Sequence, residues 1–295
     1  IMKDGRVAGV KATTKDGKVY TIDAKAVVLA TGGFGANQDM LVKYQPKLKG
    51  YATTNQPGAT GDGIILAEHA GAALVDMKQI QAHPTAAPDG TLISESVRGD
   101  GGILINAEGK RFVNELANRK VRADAIMVEQ ANGKKCFAIC NEPNVQPLKK
   151  QRPGFLEKML ERKIVEKYDS LEALAKAADI KADALKAQVE EFNKVVKAKA
   201  DPVWSRYINN DQVPLVEGPW YVCELQPKVH HCMGGLVTDD NCEVLDVRSD
   251  KPIGHLFAAG EATGGVHGAV RLGSVAILDC LVFGRLAGQK VAAIK

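Results

Sequence analysis

Four glycine-rich runs and a few charged side chains carry the chemistry this sequence offers. Thr31-Gly32-Gly33-Phe34-Gly35 follows the apolar run 26–30. Glycines at the end of a strand let backbone N–H groups approach a flat or phosphorylated ligand with no side chain in the way. The run lacks the G-x-G-x-x-G spacing that cradles a pyrophosphate, so a tight turn after a core strand is the competing reading. A polar loop, TTNQPGATGDG at 53–63, feeds the helical pattern 64–72, and its plain reading is a helix start capped by Asp62. Glycines return in HHCMGG at 230–235 and in GGVHGAVRLGS at 264–274, just before a helix predicted over 275–294 with Ser274 as N-cap. The positive end of such a helix favours anions. Arg271 lies between Gly268 and Gly273, and its planar fork suits a carboxylate; the alternative is an ordinary surface arginine. His83 and His231 are packed core residues or ligand contacts, and Glu95 with Arg98, spaced i and i+3, reads alone as a structural ion pair.

These groups must be positioned by elements the pattern also predicts. Asp4-Gly5 and Asp16-Gly17 mark hairpin turns flanking a strand over 6–14, whose partner is reduced to a stub before Asp4. The sheet's first strand is expected upstream of Ile1, which makes the chain the C-terminal part of a longer protein. The run 26–30 is expected as a parallel strand buried on both faces. A central segment changes character, with a turn at 106–110 and two helices, the first capped by Ser170 or Asp169 and the second by Asp183. Leu185, Val189, Phe192 and Val196 form one apolar stripe on the second. The composition is that of a globular chain: of 295 residues, 45% are hydrophobic and 25% charged. A net charge of +4 over this length makes no concentrated basic field, so nucleic acid is not an expected partner. No apolar run is long enough to span a bilayer. The cysteines at 136, 140, 223, 232, 242 and 280 fit neither a metal knuckle nor a haem site and read as free thiols; no metal site is expected, and the compartment stays open with a slight tilt to the cytoplasm.

The strings ATGGFGAN (30–37), TTNQPGATGDG (53–63), HPT (83–85), SESVRGDGGILINAEGKRFVNE (94–115), HHCMGG (230–235) and AAGEATGGVHGAVRLG (258–273) together resemble the flavoprotein of the fumarate reductase and succinate dehydrogenase superfamily. The resemblance is nearest to soluble flavocytochrome c-type fumarate reductases and related enoate reductases, and it covers the chain in order. It implies an α/β fold, α+β in the insertion: a two-piece FAD-binding domain at 1–82 and 232–295, interrupted by a mobile capping domain at 83–231. The family's N-terminal segment with its pyrophosphate loop is not in this sequence. The FAD site of this chain is therefore expected to be incomplete and its isolated affinity weak, with an upstream FAD-binding segment and an electron-donor domain or protein as partners.

The resemblance also assigns roles. Reducing an α,β-unsaturated carboxylate needs a hydride, a carboxylate clamp and a proton donor. Arg271 matches the clamp, while His83, Ser94 and His231 match substrate contacts. Arg119 matches the proton donor, and Glu95 and Arg98 match the relay that replaces its proton. Thr31, Gly32, Gly33, Asn55, Gly61, Asp62, His230, Gly260, Glu261, Gly273, Ser274, Val275 and Ala276 match flavin contacts, Glu261 toward the ribose. Many relatives carry Asn where this chain has Val270 and Val275, and Leu92 lies where relatives vary with substrate, so fumarate is the default acceptor among similar enoates. An oxidising flavoenzyme of the same superfamily, of succinate dehydrogenase or amino-acid oxidase type, and a non-catalytic module that kept the fold are the alternative readings.

Overall fold

The computed structural model describes residues 1–294. They form two compact units, one from Ile1–Gln81 with the return from Val229, the other Ala82–Lys228.

In the first unit, Pro252–Ala258 is the organising strand. Val27–Leu29 runs parallel to it with Val28 opposite Phe257, Arg6–Val7 pairs parallel through Arg6 and Gly254, and Glu243–Leu245 pairs antiparallel. The stub Met2–Lys3 closes on Arg6–Val7 around Asp4-Gly5. The expected strand over 6–14 is interrupted at Ala8, and its second piece, Gly9–Thr13, pairs with Val19–Asp23 in a separate hairpin. The strand Val27–Leu29 is not buried on both faces as the apolar run implied: Val28 is 38% exposed, and Val27 and Leu29 are half-buried. The helix Val275–Ala292 packs Ala287 against Cys242, Phe257 and Ala259.

The second unit is built on an antiparallel sheet in the order Glu166–Tyr168, Trp220–Leu225, Cys136–Asn141, Ile103–Asn106. Alternation along a strand sends successive side chains to opposite faces. Ile103, Ile105, Phe137, Ile139, Trp220 and Val222 therefore meet the stripe Leu185, Val189, Phe192 and Val196 of the helix Ala182–Ala198. On the other face, Cys140, Tyr221 and Cys223 pack on Val145, Leu148, Leu156 and Met159. Both faces are covered, which is why these strands read as nearly continuous apolar runs.

Three helix starts differ from their expected caps. Gly61 takes the N-cap position at φ 77°, a left-handed conformation that glycine adopts at little cost, so Asp62 is the first helical residue instead of the cap. Lys181 precedes the helix Ala182–Ala198, its N–H held by the Ala107 carbonyl at 3.2 Å, so Asp183 falls inside the first turn. Ser274 does stand at an N-cap, but at φ 63° its hydroxyl makes no capping bond; capping side chains act from extended backbone. Ser170, by contrast, caps as expected, accepting from the Ala173 N–H at 3.1 Å.

All six cysteines are free thiols, five of them buried and Cys280 exposed. Burial pushes the thiols of Cys136, Cys140 and Cys223 up to about 12, leaving them protonated and unreactive at neutral pH. No helix among the described residues is long and apolar enough to cross a membrane.

Candidate functional site

In the second unit the charged candidates gather on one carboxylate. Glu95 stands at the entrance to the short helix Ser96–Gly99, which turns Arg98 back toward it. Arg119 and Arg122 come from the first turn of the helix Arg119–Ala131, whose N-cap Asn118 accepts from the Val121 N–H at 3.0 Å. That turn contains no acidic residue, so two cations meet the positive end of the helix and are balanced by Glu95 from another element.

Oxygen Oε1 of Glu95 receives Arg119 Nε at 3.1 Å and Arg98 Nη2 at 3.2 Å, while Oε2 receives Arg119 Nη2 at 3.2 Å. Arg122 Nη2 lies 3.7 Å and His83 Nε2 3.8 Å from Oε1. Burial works against ionisation of Glu95, but the hydrogen bond and charge of Arg119, with His83 and Arg122, outweigh it and hold the carboxyl below its ordinary value. A single carboxylate touching several guanidinia on both oxygens can pass a proton from one to another. Ser94 lies beside the cluster, its hydroxyl 2.8 Å from that of Ser96.

A second, fully buried network holds this arrangement. Glu115 accepts Arg111 Nε at 2.7 Å and lies 3.1 Å from Arg206 Nη1; Asp201 accepts Arg111 Nη2 at 2.8 Å. Arg98 Nη1 donates to the Glu115 carbonyl at 2.9 Å, and Arg206 Nη2 donates to the Arg98 carbonyl at 2.8 Å. The ring of Phe192 has the Arg111 and Arg206 guanidinium carbons 4.9 Å and 5.0 Å from its centroid.

The first unit holds the other candidates. Glu261 accepts the Cys232 N–H at 2.8 Å and stands 3.2 Å from His231 Nδ1. Gly33 permits this: a Cβ there would lie 2.6 Å from Glu261 Oε1. His231 Nε2 is buried with no hydrogen-bond partner among the described residues. The His231 ring meets His267 edge-on at 5.4 Å, and His267 Nε2 is 3.5 Å from Asp279. Burial lowers the His267 pKa, with Asp279 opposing and His231 assisting.

His230 Nδ1 is 2.7 Å from the Thr54 hydroxyl, Asn55 lies against Gly35, and Thr31 lies against Gly63. Gly61 and Gly260 both take positive φ, and Asp62 is exposed. Arg271 is buried, donating from Nη1 to the Leu272 carbonyl at 2.7 Å, and its own carbonyl accepts Gln81 Nε2 at 2.9 Å. Gly273 and Ser274 are exposed ahead of the half-buried Val275 and Ala276.

Beyond the buried network of Arg111, Glu115, Asp201 and Arg206, three ionisable residues around Glu95 and His231 lie outside the sequence-based set: Arg122, His267 and Asp279. For Arg122 a signal existed, since it follows Arg119 at i+3 on one helix face. The partnership of His267 with Asp279 joins the glycine-rich loop to the helix Val275–Ala292, and only the path of that loop, which the sequence pattern does not fix, brings the two together.

The family model described as FAD binding domain matches residues 1–277. A fumarate reductase (cytochrome) from Shewanella frigidimarina is 42% identical over 295 residues, covering 99% of this chain and 50% of the relative. An NADH:fumarate oxidoreductase from Klebsiella pneumoniae is 38% identical, covering 99% of this chain and 31% of the relative. Among solved structures, the open conformation of a flavocytochrome c3 fumarate reductase superposes with a TM-score of 0.76 at 37% identity, over 98% of this chain and 50% of that one. The chain thus spans half or less of the length of these relatives.

Proposed function

The chain belongs to the FAD binding domain family, and from that premise we propose that it forms part of an FAD-dependent reductase of α,β-unsaturated carboxylates, fumarate or a similar enoate. The observation that carries the reading is the meeting of Glu95 with Arg98 and Arg119 on one carboxylate. A guanidinium is a poor acid unless its proton is replaced at once, and here a carboxylate contacts it through both oxygens.

The residues of the first unit fit FAD. Gly32 leaves open space where a Cβ would point, and Gly33 brings the backbone against the Glu261 carboxylate. Each Glu261 oxygen keeps a lone pair for a ribose hydroxyl beyond its present partner. The first turn of the helix Val275–Ala292 has no side-chain cap, so its N–H groups suit anionic oxygens. Thr31, Gly32, Gly33, Asn55, Gly61, Asp62, His230, Gly260, Glu261, Gly273, Ser274, Val275 and Ala276 would hold the cofactor. Bound FAD would supply the hydride that one carbon of the double bond receives.

The chain's own residues would do the rest. Arg271 grips a substrate carboxylate through its fork, and His83, Ser94 and His231 hydrogen-bond the carboxylate oxygens. Arg119 gives a proton to the second carbon, and Glu95 with Arg98 returns it. An upstream FAD-binding segment and an electron-donor domain or protein complete the enzyme. The donor is not a property of this half, since the names of the two relatives point to a cytochrome in one and NADH in the other.

The test is Arg119→Ala in the full-length flavin-loaded protein, assayed on fumarate and other enoates with a reduced viologen. Turnover is expected to fall by about 10²–10⁴, the usual worth of general acid catalysis, with flavin content unchanged. Undiminished turnover would remove Arg119 as the acid, and a wild-type protein inert on every enoate would remove the reaction class.

A further inference from the structure

The cluster on Glu95 holds one more guanidinium than the proposed reaction uses, and the two outer arginines differ in how they are held. Arg98 is anchored through the Glu115 carbonyl at 2.9 Å and, by its own carbonyl, through Arg206 at 2.8 Å. Arg122 is loosely held: Nη2 is 3.7 Å from Glu95, Nε reaches the Asn118 carbonyl at 3.4 Å, and Nη1 is buried with no hydrogen-bond partner among the described residues. A buried cation with an unmatched donor is costly, and native structures keep few such groups without a use for them.

Several charges bear on it. Glu95 is its counter-ion, with Arg98, Arg119 and His83 crowding the same carboxylate. Burial weakens its hold on the proton, to about 10, against the opposing pull of Glu95. It is thus a guanidinium that can release a proton to the carboxylate it faces, from a position that little else fixes.

We propose that Arg122 returns the proton to Glu95, a second branch of the relay beside Arg98; the inference rests on Arg119 being the acid. In the step, an Arg119 N–H bond breaks as the substrate C–H bond forms, leaving a neutral guanidine. Glu95, ionised at rest, accepts a proton at Oε1 from Arg122 and passes that same proton on to the neutral guanidine, returning to the carboxylate. Water then reprotonates Arg122, so charge and protons balance and no electrons move. Arg122 acts through Glu95 and Arg119, which makes it a positioning residue for the transferred proton.

Arg122→Met and Arg122→Lys in the full-length flavin-loaded protein test this, with Arg119→Ala alongside. Arg122→Met is expected to lower kcat about tenfold with KM little changed and to enlarge the solvent deuterium isotope effect. Its Tm, read also on the flavin-free protein, should be unchanged or higher, since an under-partnered buried cation is removed. Arg122→Lys should recover most of kcat, with the alkaline limb of the pH profile moved to lower pH. A kcat and isotope effect equal to wild type in Arg122→Met would falsify the proposal, as would a loss that Arg122→Lys leaves unrepaired. If Arg122→Met does not fold, the alkaline limb of Arg122→Lys decides: displacement supports the branch and an unmoved limb overturns it. An active Arg119→Ala protein would overturn the acid assignment itself, a failure separate from that of Arg122.

Discussion

The two units depart from the usual partition of side chains in opposite directions. The second buries charge: the side chains of Glu115, Asp201 and Arg206 are 0% exposed and Arg111 is 3% exposed. The first exposes hydrocarbon, with Ile277 at 68%, Leu278 at 59% and Leu281 at 66% on one helix. Exposed apolar residues are common singly, but three within five positions at the start of a helix form a patch. The buried charges are graded as well. Around Glu115 nearly every group is matched; around Glu95 one guanidinium is loosely held. The first arrangement fixes structure, and the second leaves the slack that the proposed proton transfer would use.

The contrast breaks most visibly at Glu115. Replacing it with Ala leaves Arg111 and Arg206 buried against Asp201 alone, and removing one partner of a buried ion network costs about 3–5 kcal/mol. Urea unfolding of the chain should show that loss. A change under about 1 kcal/mol would mean that the network is bystander packing.

Arg271→Met in the full-length protein sharpens the division between holding and protonating. Charge-assisted hydrogen bonds are worth about 1.5–3 kcal/mol, so KM for fumarate is expected to rise about 10- to 100-fold while kcat changes less. Arg119→Ala should do the reverse. A KM equal to wild type would strip Arg271 of its clamp role.

Much of this was legible beforehand, and the reasons differ by residue. The stripe Leu185, Val189, Phe192 and Val196 was readable because helical period alone fixes which residues share a face. Glu95 and Arg98 were readable as a pair because they are neighbours in sequence. The bond from Arg111 to Asp201 joins residues 90 apart, and only the tertiary fold brings them together. Caps at Asp62 and Asp183 were displaced because the neighbouring backbone chose where each helix starts, whereas Ser274 holds the expected N-cap position in a left-handed conformation that keeps its hydroxyl from capping. Val28 read as core because an apolar run does not reveal whether both of its faces are covered.

A smaller effect follows from the depressed pKa of Glu95. Its carboxylate is bound more tightly in the folded state than in the unfolded chain, where the group titrates near 4.3. That stabilisation is complete above about pH 5 and is lost as pH falls through the lower folded value. Glu95→Gln should therefore have a lower Tm than wild type at neutral pH, with the gap closing as pH falls through the depressed folded-state value. Asp201 is also depressed, burial opposing the Trp204 N–H and Arg111, so both proteins still lose stability in acid. A gap that stays constant across the range would mean that the pair contributes nothing through ionisation.

The least effect is expected on the exposed helix face. Ile277, Leu278 and Leu281 contact little in this structure, and surface substitutions away from special features stay within about 0.5 kcal/mol. Leu281→Lys in the isolated chain should leave urea stability inside that band and improve solubility, because it removes apolar surface from water without opening a cavity. The same substitution in the full-length protein is the informative control. If the patch is covered there, placing a Lys against apolar surface costs several times more and lowers flavin retention, because the first turn of this helix carries Val275 and Ala276 of the proposed flavin contacts. Equal and negligible effects in both proteins would make the patch ordinary surface, and the opposition between the two units would reduce to the buried charges alone.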